Sequence, residues 1–588
     1  MVGARVSWRE VWPLLVPCGL LVAGGVVGYP FSLDAAVARE RLLGLIVVSL
    51  IAAGAVVGLR RVERPRSWLV GAALAAALAA LWVIAASGAA VFRGTVGGVL
   101  QVVFRPVFGL VQVTDPVEFT NTRFIVGYNG LADLCLVAIF CCGALVFRRG
   151  AWRTRFGLAL LAGIGLGTVV LVGTGARGGL TGLAAGVCAV GLFAWPRRYA
   201  LLALSAAPVA LAAAAVGILD KGLEFSSTAG RLTYWGDLAR LLVEYPLTGV
   251  GLGVDTAYRV AAHYEINPDP ERVFYAHNTF VQSYLEQGPL GALGMLALPL
   301  VALSAAFIAR RHGVAPARRA FFIAGLGIVG ALEAHGLTDQ VVTTNVGTGM
   351  VLLGLAAVLA GLSASALDVL AQVTRRIALV LAVVGAIVLL GVAATPIGRA
   401  QVLLNLGAVE LNQVVLAVGP QSSRRADALA ESESILTLAL AQDSAHPGVL
   451  RELARVRSAR FDDAGALDAL RQASASNRLD AFDMLQIAHL YRDFGFAEQG
   501  YAWAARAYAT WGRLPEDAVM QAYAQSTLAV LDDDRARLLA DQAETAMHWR
   551  RFGEARALFQ QALTFRPDSP YLLDRLGAAQ RAVDKYGG

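Results

Sequence analysis

FYAHNTFVQSYLEQGPLGALGMLALPLVALSAAFIARR, residues 274–311, carries a histidine and an asparagine near its start and closes on an arginine pair. Between those ends, 279–309 is apolar for longer than the ~20 residues a helix needs to cross a hydrocarbon core. One end carries Arg310-Arg311 and the other His277-Asn278. A helix that only anchors a protein has no use for a histidine at its mouth. The stretch therefore bears on function as well as on fold.

Similar runs recur along the chain, at about 11–29, 40–59, 67–87, 124–147, 156–174, 178–195, 198–219, 320–337, 342–362 and 376–395. With 279–309 they make about eleven spans. The 588 residues are 57% hydrophobic and 16% charged, too apolar for a soluble chain of this length. The expectation is an all-α, polytopic membrane helix bundle over 1–395, followed by a soluble helical domain. Arg5 and Arg9 precede the first run like the start of a signal peptide. No small-residue cleavage site follows, so it reads as a retained span.

The arginines order the spans. Arg60-Arg61, Arg64, Arg66, Arg148-Arg149, Arg153, Arg155, Arg197-Arg198, Arg310-Arg311, Arg318-Arg319 and Arg375-Arg376 fall in alternate loops. Positive loops stay inside, so this face and the N-terminus are expected in the cytoplasm and everything after 395 outside. The implied location is a bacterial cytoplasmic membrane. The formal net charge is +7, and nearly all the positive charge is arginine, which reflects codon bias more than a nucleic-acid partner, and none is expected. The five cysteines lie in apolar runs with no zinc spacing.

Two expected outside loops are long. Residues 88–123 carry QVVFRPVFGLVQV, too short to span and suited to an interfacial or re-entrant helix. Residues 220–277 form the larger loop, with His277 at its end. From 396 the chain turns charged and Ala-rich: 396–430 reads as a linker and 431–588 as helical repeats. Ala454/Ala488, Ala466/Gly500, Leu470/Ala504 and Ala473/Ala507 are each 34 apart, and Ala439 extends the series backward. That period, with small residues at packing positions, is the mark of tetratricopeptide (TPR-like) repeats.

Three of these outside segments hold ionisable groups. In LVGTGARGGLTGLAAG, Arg177 sits in a tight turn among glycines. It is either a snorkelling side chain or a cation beside backbone that a ligand can approach closely. In FSSTAGRLTYWGDLARLLVEYP, Leu232, Trp235, Leu238, Ala239 and Leu242 make one stripe of an amphipathic helix ending at Pro246. Arg231 lies in its first turn, where free backbone N–H groups favour an anion. On the third segment a helix would put His277, Val281, Tyr284 and Gly288 on one face, with Glu286 opposite. Asn278 could cap that helix. Glu286, inside a span, needs a partner or a function. Glu333, His335 and Asp339, near the same end of the ninth span, are further candidates.

Arginine's planar fork suits a diphosphate, and cations aimed at developing negative charge stabilise its departure. Imidazole titrates near pH 6.5 and can take a proton from a hydroxyl. Together these groups fit glycosyl transfer from a lipid-linked diphosphate sugar to an acceptor hydroxyl. No cofactor is called for and no metal motif stands in these loops; NPDPE (Asp269, Glu271) reads as a turn.

Over roughly 120–340 the chain resembles the O-antigen ligase and O-antigen polymerase superfamily. The resemblance rests on TRFIVGYNGLADLCLVAIF (122–140), GTGARGGLTGLAAG (173–186, with Ala176 where serine is usual), GRLTYWGDLARLLVEYPLTGVGLG (230–253) and AHNTFVQSYLEQGPLGALG (276–294). It implies a polyprenyl-diphosphate-linked glycan donor, with Arg177 and Arg231 on the diphosphate and His277 activating the acceptor. Arg123, Asn129, Asn278, Glu286 and His335 would support them. The acceptor could be a lipid, a protein or the growing glycan, making the protein a ligase or a polymerase. The repeats could hold a protein partner. Two readings from other classes stay open: a membrane transporter and a non-enzymatic scaffold.

Overall fold

The computed structural model describes residues 8–62, 65–87, 92–107, 128–146, 153–194, 228–264, 275–339, 345–416, 422–494, 496–511, 535–536, 539–540, 542–543, 546–547, 551–567 and 570–586. The expected span 198–219, Arg123, NPDPE and the second half of the Arg105-Pro106 segment lie outside them. Regular structure among the described residues is helical, apart from an isolated bridge between Val314 and Leu362. The chain divides into two compact units, one of 1–392 with 416–419 and one of 393–415 with 420–588.

The first unit runs through α1 (Trp8–Gly28), α2 (Ala35–Arg61), α3 (Pro65–Ser87), α4 (Gly94–Phe104), α5 (Tyr128–Val146), α6 (Arg155–Thr174), α7 (Arg177–Ala194), α8 (Thr228–Glu244), α9 (Val254–His263), α10 (Thr279–His312), α11 (Arg319–Gly336), α12 (Asn345–Gly361) and α13 (Ala364–Ala394). Seven of them, α1, α2, α3, α5, α6, α10 and α13, are long and apolar enough to cross a bilayer; α12 is apolar but shorter. This is a multi-pass membrane protein. Leu379, Val380, Ile387 and Leu390 of α13 are more than half exposed, a surface that suits lipid and not water.

Helix α11 is central, packed on α5, α7 and α12. Small residues let it come close. A Cβ on Gly325 would reach within 2.3 Å of Gly354 O, and one on Gly186 within 2.6 Å of Gly327 O. Between apolar helices in lipid, such close backbone packing replaces the hydrophobic drive available in water. At one end of the bundle Arg60 pairs with Glu10 (3.3 Å) and donates to Leu359 O and Leu362 O, while Arg66 stacks on Phe156. His277 stands at the other end of α10 from Arg310-Arg311.

Helix α10 is not continuous. Gly288 has φ 62° and ψ −161°, and Pro289 follows without an N–H to donate. The chain after α8 lies against this break. Val250 N donates to Leu285 O (2.7 Å) and Leu252 N to Gly28 O (2.9 Å). A Cβ on Gly288 would stand 2.3 Å from Leu247 O, and one on Gly249 2.3 Å from Leu285 O. The glycine-rich stretch 247–253 thus serves backbone-to-backbone packing between α1 and α10.

Helix α8 buries a face rotated from the expected stripe. Tyr234, Leu238, Leu241 and Tyr245 are buried, whereas Ala239 is exposed. The reason is protein packing: Tyr245 hydroxyl bonds that of Tyr264, just past α9, at 2.8 Å. Apolarity alone did not distinguish a face turned to protein from one turned to lipid.

The second unit contains α14 (Pro396–Leu416), α15 (Ser422–Gln442), α16 (Pro447–Ala459), α17 (Asp463–Ser474), α18 (Ala481–Asp493), α19 (Ala497–Trp511), α20 (Phe552–Phe565) and α21 (Pro570–Tyr586). Much of the stretch expected as a linker is helix, because Ala400, Leu404 and Ala408 form a buried face and Ser432 Oγ donates to Gly407 O. Helices α16 and α18 start at Pro447 and Ala481, and α17 and α19 at Asp463 and Ala497, both 34 positions apart. His446, Asp462 and Asp480 accept backbone N–H groups at the starts of α16, α17 and α18. Ala454, Ala466, Leu470, Ala473, Ala488, Ala504 and Ala507 are all buried. Burial pushes His446 down to about 4 and His489 to about 3, Arg492 adding to the latter.

Candidate active site

His277 stands before α10, not on it. Its φ is 49°, a left-handed backbone that costs a residue with a Cβ about 1 kcal/mol or more. Asn278 is the N-cap, its side chain accepting from Phe280 N (2.9 Å) and Val281 N (3.1 Å) and donating to Leu337 O (3.1 Å). The shared helical face expected for His277, Val281 and Tyr284 therefore does not exist, because a left-handed residue ahead of the cap is out of helical register.

The neighbours of His277 fix that strained backbone. Trp235 of α8 donates its indole N–H to Ala276 O (2.6 Å), and Ala276 N donates to Gln282 Oε1 (2.9 Å). Both polar groups of the preceding residue are thus held. The Tyr275 ring lies 4.2 Å from the imidazole, centroid to centroid.

Asp339 comes to the histidine from the far side. Its Oδ1 is 3.8 Å from His277 Nδ1. Asn129, in the first turn of α5, donates to its Oδ2, and Thr279 Oγ1 donates to its backbone O (3.2 Å). A carboxylate held this way can stabilise an imidazolium across the gap.

Arg177 begins α7 and is exposed. The turn before it is short: Gly175 closes α6 in the left-handed region (φ 66°) and Ala176 N donates to Thr174 Oγ1. Beneath it lies His335, whose Nδ1 hydrogen-bonds Asp133 Oδ1 at 2.7 Å, both side chains buried. A Cβ on Gly178 would stand 2.4 Å from His335 Cδ2. His335 thus sits under the Arg177 turn. Arg231 is in the first turn of α8, one helical turn before Trp235.

Glu286 is elsewhere. It is fully buried, pairs with Arg41 of α2 at 3.7 Å and accepts from Gln282 Nε2 at 2.9 Å; Arg41 in turn donates to Asn345 Oδ1 (3.1 Å). It ties α10 to α2 and does not orient His277 directly. Glu333 is buried on α11 without a hydrogen-bond partner among the described residues.

The structure brings Asn129, Asn278 and Asp339 to His277, and His335 to Arg177. Asp133 and Arg93 had no role in the sequence reading, and Trp235 stood there only in the apolar stripe of α8. Asp133 sits inside an apolar run, where an ionisable group was itself the available signal. Arg93 lies before α4, where its guanidinium covers the Tyr128 ring at 3.8 Å. Among the described residues no group of three or more His, Cys, Asp or Glu is placed to hold a metal ion.

The chain matches no curated protein. Residues 160–296, which include Arg177, Arg231 and His277 and stop short of Asp339, match a protein-family model described as O-antigen ligase, and this segment is similar to that superfamily.

Proposed function

We propose that the protein transfers a glycan from a polyprenyl-diphosphate carrier to an acceptor hydroxyl at the His277 end of the membrane domain, on the outer side of the cytoplasmic membrane. The observation that carries this reading is the His277–Asp339 pair, at the same end of the fold as the exposed cation Arg177. The match of 160–296 to the O-antigen ligase family supports a ligase or polymerase role in surface polysaccharide assembly.

His277 takes the proton of the acceptor hydroxyl, and Asp339 stabilises the imidazolium that results. The acceptor oxygen bonds to the anomeric carbon as the carbon–oxygen bond to the diphosphate breaks. The electron pair leaves with the diphosphate, whose growing charge Arg177 and Arg231 neutralise. Because arginine supplies that charge, transfer is expected to persist in EDTA. The second unit, with helix pairs repeating every 34 residues, reads as a tetratricopeptide-like surface for the acceptor or an assembly partner.

The test incubates purified protein with a synthetic polyprenyl-diphosphate oligosaccharide and labelled lipid, peptide and glycan acceptors, with and without EDTA. Release of polyprenyl diphosphate by wild type and not by His277→Ala supports the reading, and the labelled acceptor separates ligase from polymerase. Equal release by both proteins would remove His277 from the chemistry.

A further inference from the structure

We propose that Arg93 is a further donor-binding residue, a cation that takes diphosphate oxygens beside Arg177; this rests on the donor reading above.

The chain builds a position for it. Helix α4 is clamped to the end of α6: a Cβ on Gly97 would stand 2.8 Å from Gly173 O, and one on Gly173 would meet Leu100 Cδ1 at 2.2 Å. Phe92 is buried, stacked on Phe104 at 5.7 Å, and its carbonyl accepts from Gln101 Nε2 (3.1 Å). Arg93 follows directly, with its own N–H given to Gly173 O at 2.8 Å. Its side chain then runs past the turn that ends in Arg177. A Cβ on Gly175 would lie 3.1 Å from Arg93 Cβ and 3.8 Å from its Cδ.

The guanidinium is held over an aromatic ring. Its central carbon lies 3.8 Å from the centroid of the Tyr128 ring, and the next residue, Asn129, donates to Asp339. A cation–π contact does not consume the guanidinium N–H donors, which remain suited to bidentate phosphate binding. Arg93 is exposed, as is Arg177, and among the described residues neither has a carboxylate partner. Among the described residues no carboxylate offsets either cation, and a dianionic ligand at this turn would. A cation that only snorkels to water has no need of a backbone clamp and a ring to hold it in place.

The experiment uses the full-length protein and a polyprenyl-diphosphate oligosaccharide, with inorganic diphosphate as inhibitor. Arg93→Ala is expected to raise the donor KM and the inhibition constant of inorganic diphosphate together, each by about tenfold or more, with the acceptor KM unchanged. Arg93→Lys should recover part of the loss, since it restores charge without the fork. Tyr128→Leu should move the same two constants in the same direction, and Tyr128→Phe should leave them near wild type. Should Arg93→Ala fail to fold, Arg93→Gln carries the same comparison. Wild-type transfer with both constants unmoved in the Arg93 variants overturns this inference alone. Wild type that transfers nothing from this donor overturns the donor reading and this inference with it.

Discussion

One carboxylate, Asp339, meets both His277 and Asn129: His277 Nδ1 lies 3.8 Å from its Oδ1, and Asn129 donates to its Oδ2. Asp339, three residues past the end of α11, therefore couples the mouth of α10 to the first turn of α5. Asp339→Asn keeps the shape and removes the charge that would stabilise an imidazolium. It should lower kcat by about ten- to a hundredfold with little change in donor KM. Steady-state kinetics with both substrates varied checks this, and a change confined to KM would mean that Asp339 serves binding instead.

Gly178 has no room for a methyl group. An added Cβ would stand 2.4 Å from His335 Cδ2 and 2.5 Å from Thr338 Oγ1, both on or just after a packed helix. Gly178→Ala should cost about 1–3 kcal/mol of stability and displace Arg177 with it. The expected outcome is a lower unfolding temperature and a loss of transfer, while Gly98→Ala, with open space at its Cβ, changes neither.

Arg41 and Glu286 form an ion pair buried among α2, α10 and α12. Removing one partner leaves a charge in an apolar bundle, so Glu286→Leu alone should destabilise by about 3–5 kcal/mol. Arg41→Leu combined with Glu286→Leu should recover much of that. Thermal unfolding of the two proteins in one detergent decides it. A double variant no better than the single one would show that Glu286 has some other task.

His446 and His489 predict a pH dependence for the second unit. Burial holds them at about 4 and about 3 when folded, below the ordinary value near 6.5. The unfolded chain binds protons below 6.5, where the folded form does not. Stability is therefore complete above 6.5 and is lost as pH falls from there toward 4 and 3, at no more than about 1.4 kcal/mol per histidine per pH unit. Hydrogen exchange of α16 and α18 at pH 7 and pH 5, corrected for intrinsic rates, should show loss of protection. His489→Leu should flatten the dependence.

The helical class, the apolar runs and the residues at their ends were legible in the sequence because each depends on a local pattern. Arg177, His277 and Asn278 stood out as polar groups at the mouths of apolar helices. What was not legible depends on register and on distant partners. The helical wheel misplaced His277 because a left-handed residue, fixed by Trp235 through Ala276, breaks the periodicity on which a wheel relies. The packed face of α8 was misread because tyrosine can bury as well as leucine: Tyr234 and Tyr245 are both buried, and Tyr264 meets the hydroxyl of Tyr245. Arg93 had no motif around it. Its position comes from Gly97 and Leu100 docking on Gly173, a contact between segments far apart in the chain.

The connection from α6 to α7 consists of Gly175 and Ala176 alone. A long exposed connection can lengthen without disturbing what it joins. Here one inserted residue would be taken up by α7 itself, turning Arg177 by about 100° and shifting it about 1.5 Å along the axis. The cation would leave the side of the bundle that holds His335 and Asp133. Chain length at this turn is thus as strict a requirement as the arginine it carries, and deletion or insertion scanning should find it the least tolerant of the described connections at the His277 end.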